Sequence, residues 1–288
     1  MDGFRISPFH WGEWLAAGEA LPEFPKFLTL EHGITATAYM YRSTLQMIEI
    51  GKLLGKSDGE LKKYIEIAPK IKDAWQKEYI RPNGRLSEET QANYLRALHF
   101  DLAPKNLRQS MGERLVEIIR EAGTHLGTGF LATPYLLTTL ADIGYVDIAF
   151  ELLFQDTVPS WMYMKKKGAT TIWESWNGID ADGNIDASLN HYSKGAVISF
   201  LHQYVAGLKA TSPGYKSFTV KPHLGPNVHD VELRLDSPQG RIEVEWHAKN
   251  GKFQARVLVP KGASASVELP NGEKHALHEG ENTLSCAV

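Results

Sequence analysis

K-A-T-S-P-G-Y-K-S-F-T-V-K, residues 209–221, is where the chain changes its period. Up to Leu208 apolar residues recur at helical spacing, and after it they alternate in short runs. Pro213-Gly214 lies inside the change and stops any helix running into it. A chain that is helical before such a stop and alternating after it predicts a helical domain over 1–209 and a β domain over 210–288.

Working back from this stretch, the run Ile34 to Leu54 places Ala38, Tyr41, Leu45, Ile48 and the pair Leu53-Leu54 at spacings of three to five, with Gly55 as its stop. The next run, Asp58 to Tyr79, carries Leu61, Ile65, Ala68, Ile71 and Trp75, and ends at Arg81-Pro82-Asn83-Gly84. So short a break makes the two helices antiparallel neighbours. Further helices are expected over Glu88 to Phe100, Asn106 to Ala122, Pro134 to Ile143, Tyr145 to Leu153 and His191 to Val205. Working forward, strands are expected over Ser217 to Lys221, Val231 to Leu235, Arg241 to His247, Phe253 to Val259 and Ala265 to Leu269. Pro238-Gln239-Gly240, Asn250-Gly251, Pro260-Lys261-Gly262 and Pro270-Asn271-Gly272 punctuate them about every 10 to 12 residues, the spacing of a small sandwich.

Composition excludes some functions. With 288 residues, 43% of them hydrophobic, and a net charge of -3, the chain has no broad electrostatic footprint for nucleic acid or an anionic membrane. Its one cysteine, Cys286, forms no intrachain disulfide, and neither a metal nor a cofactor is expected. The opening M-D-G-F-R-I-S-P-F-H-W-G-E-W lacks the basic and apolar regions of a signal peptide, and nothing approaches about 20 uninterrupted apolar residues. Seven Trp and eleven Tyr suit a site that stacks flat rings on the apolar faces of sugars, although core packing accounts for a tryptophan equally simply.

The chemistry concentrates between Thr124 and Leu201. In G-A-T-T-I-W-E-S-W-N-G-I-D, residues 168–180, a carboxylate, Glu174, stands between Trp173 and Trp176. Flanking indoles raise the cost of ionising such a group, which is one way to tune an acid or base. Spacing alone leaves an ordinary connector glutamate open. Downstream, S-L-N-H-Y-S-K-G-A-V offers Ser188 and Asn190 as N-caps and puts His191 in a first helical turn, facing a cavity or simply capping. Trp161, in V-P-S-W-M-Y-M-K, falls in an expected connector, where it meets solvent or ligand. The Gly- and Thr-rich H-L-G-T-G-F-L-A-T-P-Y-L, residues 125–136, reads as a loop entering a helix at Pro134.

Taken in order, T-G-F-x-x-T-P-Y-L-L, P-S-W-x-Y-M, G-A-T-T-I-W-E-x-W and N-H-Y-x-x-G-A-V resemble the catalytic domain of the α-L-rhamnosidases, a glycoside hydrolase family 78 type built on an α/α six-hairpin barrel. T-Q-A-N-Y-L-R-A-L-H-F, residues 90–100, and H-W-G-E-W-L, residues 10–15, extend the likeness upstream, the latter similar to the family's W-G-D-W element. P-G-Y-K and D-S-P-x-G-R-I extend it into the closing sandwich. The resemblance implies a partial (α/α)6 barrel with a C-terminal antiparallel β-sandwich, and inverting hydrolysis of terminal α-L-rhamnose.

Residue by residue, the resemblance implies that Glu174 is the general base, that His191 contacts the sugar and that Trp14 belongs to the same pocket; beside it, Trp161, Trp173 and Trp176 are further aromatic candidates for sugar contact. Glu13 stands where the family more often has aspartate. The family's general acid lies in a motif before W-G-D-W, and nothing in this chain matches it. Seven helices against the family's twelve imply a C-terminal part, with self-association or a complementing N-terminal half covering the exposed helix faces. Three readings remain: an incompetent piece of a rhamnosidase, an active one that recruits Glu13 or Glu31, and a non-catalytic carbohydrate-binding fragment. A different (α/α)6-barrel glycosidase is the enzymatic alternative.

Overall fold

The computed structural model describes residues 12–17 and 32–288, in two compact units, Met1–Lys194 and Gly195–Val288. His10, Trp11 and Glu31 lie outside the described residues.

The first unit is built from helical hairpins. The helices α1 (Gly33–Leu53) and α2 (Asp58–Tyr79) form one pair, α3 (Gln91–His99) and α4 (Arg108–Glu121) the next, and α5 (Thr133–Asp142) and α6 (Val146–Phe154) a third. α1 packs on α3 and α3 on α5, so one helix of each hairpin lines up beside its counterpart. Local signals start these helices. Ser57 accepts from the Glu60 N–H while the Glu60 carboxylate accepts from Ser57 N, a complete capping box for α2. Thr90 accepts from Asn93 N at the start of α3. The indole of Trp75 donates to the carbonyl of Ile34 at 2.9 Å and ties the two helices of the first hairpin together. α3 is the innermost element, buried on every side from Gln91 to Leu98. Each Leu enclosed there contributes about 1.5–3 kcal/mol of burial.

A seventh helix, α7 (Trp161–Lys166), occupies the stretch expected to be a connector. Ser160 caps it by accepting from Tyr163 N. Six residues are too few for a periodic pattern to show, but a serine after proline was its signal.

The chain passes into the second unit within its last helical turns, 3-10 over Ser193–Val197, α over Ile198–Phe200 (α8) and π over Leu201–Val205, and then forms two four-stranded sheets. One sheet has the order β1 (Leu208–Ala210), β2 (Ser217–Val220), β6 (Ser264–Glu268), β7 (Lys274–Leu277). The other runs β3 (Asp230–Ser237), β4 (Gly240–Lys249), β5 (Lys252–Val259), β8 (Gly280–Ala287). Pairing is antiparallel except between β2 and β6. Asn250 and Gly251, both at positive φ, close the two-residue hairpin between β4 and β5. Ile242, Val244 and Trp246 of β4 and Phe253, Val257 and Val259 of β5 are buried on alternate positions. The period of the sequence changes at Leu208, whereas the compact units divide at Lys194 and Gly195. The physical reason is that the helical turns after Lys194 are held by strands: Trp246 donates its indole N–H to the Val205 carbonyl at 3.1 Å, and His223 N donates to Tyr204 O.

Candidate active site

The segment between α7 and the final helical turns folds back on itself. Glu174 N donates to Ser188 O at 2.8 Å, His191 N to Ile172 O at 2.7 Å and Asp186 N to Gly178 O at 2.9 Å, and Ile179 bridges to Ile185. These bonds bring Glu174 and His191, two of the residues nominated from sequence, into one folded loop. Asp180 closes its turn by accepting from Asp182 N, Asn184 N and the Asn184 amide at 2.8–2.9 Å. The bonds from Asn184, foremost its side chain, hold the Asp180 carboxyl below the usual range.

Glu174 is half-buried. Its Oε2 accepts from Ser188 N at 3.1 Å, and its Oε1 receives no hydrogen bond among the described residues. The main-chain carbonyl of the same residue accepts from the ammonium of Lys194. Lys194 is fully buried, and its Nζ lies 4.9 Å from the ring centre of Phe130 and 4.8 Å from that of Trp176. Burial pulls this ammonium down to about 8, opposed by the negative charge of Glu174.

His191 lies just ahead of the final helical turns, which begin at Ser193. This corrects the expected helix start at His191. Ser188 and Asn190 bond each other rather than capping, and the first-turn N–H of Ser193 donates to His191 Nδ1 at 3.3 Å. The imidazole rests against Phe130, centroids 4.8 Å apart, and stacks on the exposed ring of Tyr192 at 5.0 Å. Phe130 N in turn donates to the carbonyl of Trp14 at 2.8 Å. Gly129 permits that approach, since a Cβ there would stand 2.1 Å from the Trp14 oxygen.

Trp161 does not meet solvent. It opens α7, is buried, donates to Lys194 O at 2.9 Å and meets Trp176 edge-on at 5.2 Å. Trp173 and Trp176 are 2% and 4% exposed, and Trp176 donates to Thr128 O. Together these indoles form a packed floor under the loop. Glu13 is committed elsewhere: one oxygen pairs with the buried Arg96 and the other accepts from Leu131 N and Ala132 N, at 2.9 and 3.0 Å, at the start of α5. Arg96 is further held by Asn93 at 2.7 Å. A carboxylate so occupied is a poor recruit for proton transfer. A cavity of about 500 Å³ beside it, lined by Glu13, His32, Gln91, Asn93 and Arg96 among others, includes neither Glu174 nor His191 in its walls. Phe130 and Lys194, which join Trp14, His191, Trp176 and Glu174, escaped the reading of the sequence. Both stand inside quoted motifs, but only the fold brings them together. Among the described residues no cluster of His, Cys, Asp and Glu is disposed to hold a metal, and no helix is long and apolar enough to cross a membrane.

The bacterial alpha-L-rhamnosidase 6 hairpin glycosidase domain matches residues 2–205, and the bacterial alpha-L-rhamnosidase C-terminal domain matches residues 207–284. An alpha-L-rhamnosidase of Streptomyces avermitilis is 33% identical over 296 residues, covering 100% of this chain and 28% of that protein. One from Formosa agariphila is 32% identical over 252 residues, 85% of this chain and 27% of that protein. Among solved structures, the S. avermitilis enzyme complexed with L-rhamnose superposes with a TM-score of 0.90 at 29% identity, over 99% of this chain and 29% of that one. The native enzyme of Aspergillus terreus gives 0.90 at 32% identity, over 97% and 33%. The chain therefore spans about a third or less of the length of the relatives it resembles.

Proposed function

The chain belongs to the bacterial α-L-rhamnosidase family, a glycosidase family with a helical-hairpin barrel and a β-sandwich, and on that footing we propose that it supplies the base side of an inverting site for terminal α-L-rhamnose. Glu174 is the general base. The supporting observation is the state of its carboxylate: one oxygen is fixed by Ser188 N while the other is left open among the described residues, as a group that must take a proton from water requires. Inversion sets the base about 6.5 to 9.5 Å from a general acid on the opposite side of the sugar, so that water fits between. His191, backed by Phe130, hydrogen-bonds sugar hydroxyls, and Trp14 adds an apolar wall.

The acid comes from outside the motifs of this chain. Glu13, the described candidate for its replacement, is engaged by Arg96 and two main-chain N–H groups. The chain by itself therefore binds more readily than it turns over, and a complementing N-terminal half restores the reaction. Hydrolysis of an aryl α-L-rhamnoside, measured with and without that half, tests this reading. Turnover only in the combined sample agrees with it; full turnover by the chain alone overturns the missing acid, and none in either sample leaves a sugar-binding piece.

A further inference from the structure

Lys194 is a cost to the fold that packing does not explain. A fully enclosed ammonium gives up its hydration, and the ring faces of Phe130 and Trp176 with one carbonyl return only part of it. An unbranched apolar side chain of similar length would fill the same space at lower cost. Residues that lower stability in this way concentrate where function holds them.

The surroundings show what it holds. The ammonium donates to the carbonyl of Glu174, so it grips the main chain of the residue whose carboxylate faces the loop. The ring it touches on one element, Phe130, also carries the imidazole of His191, and the ring on the other, Trp176, lies two residues beyond Glu174. The carbonyl of Lys194 itself accepts from Trp161 and fixes the backbone from which the ammonium reaches. Among the described residues, the titratable groups facing this cluster are Glu174, whose carboxylate acts on the ammonium, and His191 through Phe130.

We propose that Lys194 is a positioning residue for Glu174: its charge, caged by Phe130 and Trp176, clamps the Glu174 main chain and sets its carboxylate in register with the His191 wall. This rests on the reading of Glu174 as the base. In its charged form the ammonium is attracted to both rings and to the Glu174 carbonyl; once neutral it keeps a weaker donor and loses the attraction to the rings. The clamp thus loosens as pH rises through about 8.

The test uses Lys194→Met, Lys194→Arg and Glu174→Gln, in the chain combined with its N-terminal half and in the chain alone. In the combined enzyme Lys194→Met is expected to lower kcat by about 10- to 100-fold with KM within about threefold, and to remove the fall in rate above pH 8. Lys194→Arg, which keeps the charge, moves that fall to higher pH. In the chain alone, lysine-selective NMR is expected to show one ammonium titrating near 8 that vanishes in Lys194→Met and moves to lower pH in Glu174→Gln. Unchanged kcat and pH profile in Lys194→Met, with Glu174→Gln inactive, overturn the clamp and leave the base standing. Full turnover by Glu174→Gln removes the base instead. If no active assembly forms, the NMR decides: a lysine resonance that ignores Glu174→Gln overturns the proposal.

Discussion

The ammonium of Lys194 donates to the main-chain carbonyl of Glu174 from inside a cage made by Phe130 and Trp176. Folded Lys194 releases its proton near 8, whereas the unfolded chain holds it to about 10.5. Below 8 both states carry the proton and the folded chain bears the whole cost. Between those values the unfolded chain binds more protons, so this residue's contribution to stability rises with pH. Lys194→Met should remove that rise and, at pH 7, stabilise the chain by about 1–3 kcal/mol. Urea unfolding of both proteins at pH 7 and pH 10 measures the difference; equal stability of the two at both values contradicts it.

Glu13 and Arg96 form the opposite case, a charge whose partner must stay. Arg96 is 2% exposed and depends on Glu13 and Asn93. Glu13→Ala leaves that guanidinium without its counter-charge and uncaps two N–H groups at the start of α5, at a cost of about 3 kcal/mol or more. Thermal and urea unfolding report it directly. A loss below about 1 kcal/mol would show that the pair is not sealed from water.

Much of the architecture was readable because its signals are local. Gly55 and Arg81-Pro82-Asn83-Gly84 end the two helices of the first hairpin, and Asn250-Gly251 announces the hairpin between β4 and β5. What was missed lacked such signals. α7 is shorter than two turns; β7 is largely exposed, and β8, G-E-N-T-L-S-C-A, buries only Asn282, which bonds the carbonyls of His278 and Gly280 at the position where a strand pattern expects an apolar residue. In the site, Glu174 and His191 stood out by motif. Lys194 did not, since a lysine at a helix start reads as solvated, and its burial requires Phe130 to arrive from a distant loop.

The exposed side of α1 carries Leu45, Met47, Ile50, Leu53 and, just beyond it, Leu54, the last two more than 70% exposed. We expect the isolated chain to self-associate through such surface, and the N-terminal half to return it to a defined complex. Light scattering gives the mass. A monodisperse particle of 32.2 kDa that binds no hydrophobic dye would contradict this.

Because Phe130 links Trp14, His191 and Lys194, sugar binding should be felt by tryptophan. Rhamnose should quench the fluorescence weakly, and His191→Ala should reduce the response. A flat titration at tens of millimolar, on the order expected for a weak monosaccharide site, would mean that these residues form no pocket in the chain alone.

If Glu174 activates the hydrolytic water, Glu174→Gln in the reconstituted enzyme loses that step and little else. Glutamine keeps the size and the bond from Ser188 N, so substrate binding and melting temperature should hold while kcat falls by about 10²- to 10⁴-fold. Azide, entering from the side of the missing base, should restore turnover and leave a β-rhamnosyl azide from an α-rhamnoside. Near-normal hydrolysis by Glu174→Gln, or a lowered melting temperature with turnover retained, would make Glu174 a structural residue and not the base.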